Sequence, residues 1–355
     1  MRNMFRKILL VLTALVAVGT VGCKRSEAQT PPPSQHVNLF LAGDSTVKDY
    51  SAAGMWNGGK ARNEGAWGEF LQAWLNDSTT VQNYANGGRS TRSFINEGKL
   101  DKIAQNIGAG DYLFIQFGHN DCSNGAKNLE ERFVPLGKPN RKGIYPVTAG
   151  KKEKTPDSFA ASYGEEFYPH TSGTFKWYLK QYIDVARKAG AIPVLVTPVS
   201  RVYFAGLKGT IEPHHDAKDT TTGTQTTTNN AYVEAVRQLA KEEKVTLIEG
   251  FEITKSLYEK SFADTKKNVE AFALMFPDDK THNNKLGGFI IAGEFAHAIK
   301  AGIPALAPRV RHPTDTTGTN TDGTVLFSVD ANGIFDCPDA YWKTYAQNLM
   351  DSLAE

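Results

Sequence analysis

Short apolar runs alternate with helix-spaced apolar residues along most of the chain. Val37 to Ala42 and Tyr112 to Phe117 are apolar runs, and Val81 to Ala85 is a shorter, mixed one. Runs of this length bounded by Gly and Asp predict buried strands. Ile192 to Thr197, ended by Pro198, and Val245 to Glu249 predict two more. Between the strands, Trp67, Phe70, Leu71, Trp74 and Leu75 give Ala66–Leu75 a helical spacing. Helices are also predicted around Lys99–Ile107, at Thr174–Lys188 with Gly190 as its C-cap, and at Asn229–Lys244. A last helix follows Asn283, where Phe289, Ile290, Ala292 and Phe295 recur at helical spacing. Strand–helix alternation with connections of this length predicts an α/β fold: a parallel sheet covered by helices on both faces.

Three segments exceed a minimal fold of this kind. Ser123 to Glu165 is long, polar and rich in Gly, Pro and Lys. Tyr203 to Thr228 is rich in Thr and Gly, and Ala307 to Glu355 is a tail with a low-complexity start at Thr314 to Thr324. The first two begin just past strands that end at one edge of the sheet, which makes them candidates for the walls of a substrate groove.

Composition narrows the partners. The chain has 355 residues, 40% of them hydrophobic, enough for a packed core in one large or two small domains. The net charge of +2 is close to balance, and no Lys/Arg run suggests a nucleic-acid surface. Lys151-Lys152-Glu153-Lys154 reads as a solvated loop.

The N-terminus reads as a targeting segment. Arg2, Arg6 and Lys7 precede an apolar run from Ile8 to Val18, the length of a signal-peptide core. Thr20-Val21-Gly22-Cys23 resembles the lipobox of bacterial lipoproteins, which implies a lipid on Cys23 and attachment to a membrane. Thr20 departs from the usual Leu, and ordinary cleavage after Gly19 is the competing reading. The expected organisation is therefore a signal peptide at 1–23, a Pro-containing tether at 24–36, a catalytic domain at 37–306 and a C-terminal extension at 307–355. The expected location is outside the cytoplasm, lipid-anchored in the periplasm or at the cell surface, otherwise secreted. An oxidising compartment permits a disulfide between Cys122 and Cys337, the two cysteines left after export.

Four polar blocks carry the candidate chemistry. They are Gly43-Asp44-Ser45-Thr46, Asn86-Gly87-Gly88-Arg89-Ser90, Gly118-His119-Asn120-Asp121 and Asp279-Lys280-Thr281-His282. The first three follow predicted strands, and residues just past strand ends line the crevice where open α/β sheets bind ligands. The order Ser, Gly, Asn, His over residues 37–305 resembles the SGNH (GDSL-like) hydrolases. Gly-Asp-Ser-Thr, Gly-Arg-Ser-Thr-Arg-Ser, Phe-Gly-His-Asn-Asp and the segment Gly173–Arg201 narrow the likeness to the rhamnogalacturonan acetylesterases. That resemblance implies a flavodoxin-like three-layer sandwich with a five-stranded parallel sheet.

The resemblance also implies roles. Ser45 is the nucleophile, His282 the base and Asp279 its orienter, with adjacent Asp278 the alternative. Three residues of separation let Asp279 and His282 reach the same side of a turn. The oxyanion donors are the backbone N–H groups of Ser45 and Gly88 and the side-chain amide of Asn120, Gly87 being the neighbouring alternative to Gly88. Arg89 and Arg92 are candidates for uronic-acid carboxylates, because guanidinium suits carboxylate recognition. Asp44, Gly118, His119 and Asp121 are assigned to shaping the site. His214-His215-Asp216 lacks a matched ligand motif, so no metal and no cofactor are expected. The implied function is a serine esterase releasing acetate from acetylated plant cell-wall polysaccharide, most simply rhamnogalacturonan. A xylan or other glycan acetylesterase and a catalytically silent glycan-binding protein are the other readings.

Overall fold

The computed structural model describes residues 35–51, 56–57, 60–61, 63–123, 132–151, 173–204, 209–215, 230–264, 275–276 and 279–353. The expected signal peptide, the lipid site at Cys23 and nearly all of the tether lie outside these residues, as does Asp278.

The central sheet starts with β1 (Val37–Gly43). A two-residue antiparallel pair follows, β2 (Trp56–Asn57) and β3 (Lys60–Ala61). The other sheet strands are β4 (Thr79–Asn83), β5 (Tyr112–Gln116), β6 (Ile192–Val196) and β7 (Thr246–Ile248). All pairings are parallel and the spatial order is β4-β1-β5-β6-β7. This is the expected five-stranded, flavodoxin-like arrangement. Its direction of winding reverses between β1 and β5, and ligands of such sheets bind outside the strand ends at that point.

Side chains alternate along each strand, so the sheet divides the core in two. Leu39, Leu41, Tyr112, Phe114, Val194 and Val196 face one layer, and Phe40, Ala42, Leu113, Ile115 and Leu195 face the other. Fully burying a side chain of the Leu, Val or Phe class stabilises by about 1.5–3 kcal/mol. The first layer is covered by α1 (Trp67–Phe70), continued as a 3-10 turn at Leu71–Trp74, and by the long helix at Lys285–Gly302. The second is covered by α2 (Thr91–Asn96), α3 (Lys99–Asn106), α4 (Phe175–Lys188) and α5 (Ala231–Glu243). After β7 comes α6 (Gly250–Asp264), and the Lys285–Gly302 helix is α7.

Several local expectations change. The single helix expected over Ala66–Leu75 tightens after Phe70. There the backbone N–H of Arg311 donates to Trp74 O at 2.9 Å and Leu75 bridges to Val310, so the C-terminal chain takes over the last turn. Helices α2 and α6 add to the expected set. The first is fixed by a capping box in which Ser90 and Ser93 satisfy each other's backbone N–H groups.

The extension after residue 306 is not a loose tail. It forms an antiparallel sheet of β8 (Thr316–Thr319), β9 (Val325–Val329) and β10 (Phe335–Asp336), followed by α8 (Ala340–Asp351). Phe327 and Phe335 stack on Phe289 of α7, and Trp342 is fully buried in the same layer. The low-complexity start hides this because the buried position of β8 is Gly318, while its Thr residues are exposed or half-buried.

The Cys122–Cys337 disulfide that an oxidising compartment would permit does not form; both cysteines are buried and keep their thiols. Cys122 packs in one core layer and Cys337 in the other, so the sheet separates them. Cys337 Sγ instead contacts Asp339 O at 3.3 Å. Of the two long insertions, residues 132–151 are anchored by buried Phe133, Val134, Leu136 and Tyr145. Residues 124–131, 152–172, 205–208 and 216–229 are outside the described set.

Candidate active site

Ser45 sits in the tight turn that follows β1. Asp44 O accepts from the backbone N–H groups of Val47 and Lys48 at 3.2 and 3.1 Å, which curls the chain around the serine. The buried Asp44 carboxylate accepts from Thr46 N and Thr46 Oγ1 at 2.9 and 2.7 Å. Behind it, Gln116 Nε2 donates to Thr46 Oγ1 at 2.7 Å and Trp67 Nε1 donates to Gln116 Oε1 at 2.9 Å. This chain of bonds ties the Ser45 turn to β5 and α1. Close packing of α1 on the turn requires a glycine at 68, where a Cβ would lie 2.1 Å from Val47 O.

The fourth block closes on this turn. His282 Nε2 lies 2.8 Å from Ser45 Oγ, and His282 Nδ1 lies 2.6 Å from Asp279 Oδ2. The other Asp279 oxygen accepts from the backbone N–H groups of Thr281 and His282 at 2.6 and 2.7 Å. Asp279 thus orders its own turn and the imidazole together. Burial raises the Asp279 pKa as its largest single influence, but the bonds to His282 and Thr281 prevail and hold the carboxyl well below the usual range. Burial likewise pulls His282 downward, and Asp279, Glu64 and Asp44 together overcome it, so its pKa is raised.

The second and third blocks meet on the other side of Ser45. A Cβ on Gly87 would stand 3.7 Å from Ser45 Cβ, which puts the Gly-Gly turn against Ser45. Gly88 has φ +78°, a left-handed conformation that glycine adopts without strain. The Asn120 amide donates to Arg89 O at 3.1 Å, locking the third block onto this turn. Asp121 fastens it from below by accepting from Thr91 N and Thr91 Oγ1 at 2.9 and 2.6 Å. Burial pushes Asp121 up to about 7 against those bonds. The arrangement supplies what acyl transfer needs: a hydroxyl in contact with an oriented imidazole, beside fixed N–H donors.

Residues 41–287 match the model of the GDSL-like Lipase/Acylhydrolase family. The chain belongs to this family. The matched span runs from within β1 into the start of α7, so it holds all four blocks and leaves the C-terminal extension outside. The protein named "Probable rhamnogalacturonan acetylesterase YesY" of Bacillus subtilis is 34% identical over 76% of this chain and 93% of that protein. Rhamnogalacturonan acetylesterase RhgT of the same organism is 31% identical over 76% and 92%. A rhamnogalacturonan acetylesterase of Emericella nidulans is 27% identical over 78% and 89%.

Not every expected residue faces the site of this GDSL-like chain. Arg89 is held by Glu97, its Nε donating to both carboxylate oxygens at 2.9 and 3.0 Å and its Nη1 to Gly87 O at 2.8 Å. Arg92 is buried. Neither offers a free guanidinium for a substrate carboxylate; Arg89 braces the Gly-Gly turn against Glu97. The paired histidines are engaged structurally. His214 accepts from Arg201 N at 2.8 Å and lies 2.7 Å from Glu212 O, while His215 lies 3.1 Å from Val199 O and 3.9 Å from Cys122 Sγ. No cluster suited to a metal occurs among the described residues, and Asp216 lies outside them. His119 packs edge-on against His215 under the site. Burial, then the charges of its neighbours, hold it well below its usual pKa, so it is neutral.

Two further residues belong to the GDSL-like site. Glu64, 2% exposed, places Oε1 at 3.8 Å from His282 Nδ1. Arg201 donates to Thr281 Oγ1 at 3.0 Å and to His119 O at 3.3 Å, bridging the third and fourth blocks. Glu64 has no local pattern, and Arg201 ends the Gly173–Arg201 segment with nothing in it to mark a partner 80 positions away.

Proposed function

We propose that this chain is a carbohydrate acetylesterase that releases acetate from acetylated rhamnogalacturonan. The observation that carries the chemistry is the Ser45–His282–Asp279 contact series of 2.8 and 2.6 Å. A serine hydroxyl becomes a competent nucleophile when a base takes its proton. Neutral His282 accepts the Ser45 proton as Oγ attacks the acetyl carbon. The resulting oxyanion is received by the N–H groups of Ser45 and Gly88 and by the Asn120 amide, donors fixed before the reaction. The His282 imidazolium, stabilised by Asp279, then protonates the departing sugar oxygen. Water, deprotonated by the same histidine, attacks the acetyl-Ser45 ester and liberates acetate.

The choice of polysaccharide is supported by the curated relatives, which are named as rhamnogalacturonan acetylesterases and are covered over nine-tenths or nearly so of their length. Acetate release from acetylated rhamnogalacturonan and from acetylated xylan tests it. Preference for the pectic substrate is expected. Faster release from xylan assigns a different glycan, and binding without release from either removes the esterase reading. We further propose export and lipid attachment at Cys23, on the strength of the charged, apolar and Gly-Cys pattern of residues 2–23. Membrane partition lost in Cys23→Ser supports attachment, and unchanged partition excludes it.

A further inference from the structure

We propose that Arg132 binds a substrate carboxylate, that of a uronic-acid residue in the acetylated sugar chain. This deepens the reading above, on which it rests for the identity of the sugar chain.

The Arg132 guanidinium lies directly against the oxyanion turn. A Cβ on Gly88 would be 3.1 Å from Arg132 Nη2 and 3.2 Å from its Cζ, so the planar group rests on bare glycine backbone. Gly87, one residue earlier, borders Ser45. Arg132 therefore stands beside Ser45 and the Gly-Gly turn, within reach of the sugar chain that carries the acetyl group.

Its position is built. Phe133 and Val134, immediately after it, are buried. Val134 N donates to Asp121 O at 3.0 Å, Val134 O accepts from Tyr232 Oη at 2.7 Å, and Phe175 N donates to Pro135 O at 2.8 Å. The backbone that carries Arg132 is thus pinned to the third block and to the starts of α4 and α5.

Its charge is unmatched. Arg132 is half-buried and makes no hydrogen bond or ion pair with any described residue. Other guanidiniums around the site are engaged: Arg89 by Glu97, and Arg201 by Thr281, Tyr203 and His119. A guanidinium partly withdrawn from water without a partner is unfavourable, and its fork of donors matches a carboxylate in bidentate geometry. A uronate presents that group on a sugar.

Inhibition of 4-nitrophenyl acetate hydrolysis reads this binding whatever the natural polysaccharide. Digalacturonate and neutral galactobiose are compared as competitive inhibitors of wild type, Arg132→Gln and Arg132→Lys. In wild type the uronate should inhibit about tenfold better or more, the range of a charge-assisted hydrogen-bonded pair. Arg132→Gln should bring the two inhibition constants together, and Arg132→Lys should fall between, having charge without the fork. A merely structural role would shift both constants in parallel. No preference for the uronate in wild type, or an intact preference in Arg132→Gln, overturns the assignment. Loss of acetate release from rhamnogalacturonan with the preference intact would overturn only the substrate reading. Acetate release without the preference would overturn only the Arg132 assignment.

Discussion

Glu64 Oε1 stands 3.8 Å from His282 Nδ1, the same nitrogen that Asp279 holds at 2.6 Å. Two carboxylates thus converge on the Nδ1 edge of the imidazole while Ser45 meets the Nε2 edge. The arrangement favours the protonated ring, the form His282 would take on accepting the Ser45 proton in the proposed reaction.

That relationship sets the pH dependence. An imidazole acts as a base only when neutral, and the His282 pKa is raised above the ordinary histidine value of about 6.5. The acid limb of kcat/KM is therefore expected above that value. Glu64→Gln removes a negative charge, lowers the His282 pKa and should move the limb to lower pH. A pH–rate profile of the two proteins checks the sign.

Ser45→Ala and His282→Ala should each lower kcat/KM for acetate release by about 10,000-fold or more, because the two act as one unit. Circular dichroism should show the fold retained, since Ser45 and His282 lie at the sheet edge and outside both core layers.

Asn120→Ala should lower kcat by about 100- to 1,000-fold, the effect of deleting one oxyanion donor. KM should change far less, because the donor acts mainly when charge develops on oxygen. Steady-state kinetics with 4-nitrophenyl acetate separates the two.

Asp121 makes stability pH-dependent. Its folded pKa is raised to about 7, above an unfolded value of about 3.9. Between those values the folded state holds the proton and the unfolded state does not, so this group's contribution to stability falls as pH rises and levels off above about 7. Asp121→Asn should flatten the thermal midpoint over that window. Calorimetric scans from pH 4.5 to 8 are the measurement; an unchanged slope would contradict the linkage.

Trp342 tests whether the extension belongs to the core. Its ring is fully buried in the layer shared with α7. Trp342→Ala should cost about 3–5 kcal/mol of unfolding free energy, measured by urea titration. A loss below about 1 kcal/mol would mean that the extension folds apart from the rest.

The five sheet strands, the strand–helix alternation and the four polar blocks follow from the sequence alone. Strand period, helix period and turn residues are local properties, and each block sits in the turn after its strand or just before α7. Ser45, Asp279 and His282 could be named because each lies in a short pattern of its own.

Tertiary structure decided what depends on which distant segments touch. The 2.8 Å contact between Ser45 and His282 spans 237 positions, and only packing of the sheet and α7 creates it. The same packing brought Glu64 to His282, Arg201 to Thr281 and Arg132 to Gly88, pairings with no local signature. It engaged Arg89 with Glu97 and buried Arg92, which sequence pattern could not distinguish from free cations. It set the sheet between Cys122 and Cys337, and it folded the Thr-rich extension onto Phe289. Charge pairing, burial and thiol distance are properties of neighbours in space, and one-dimensional spacing does not contain them.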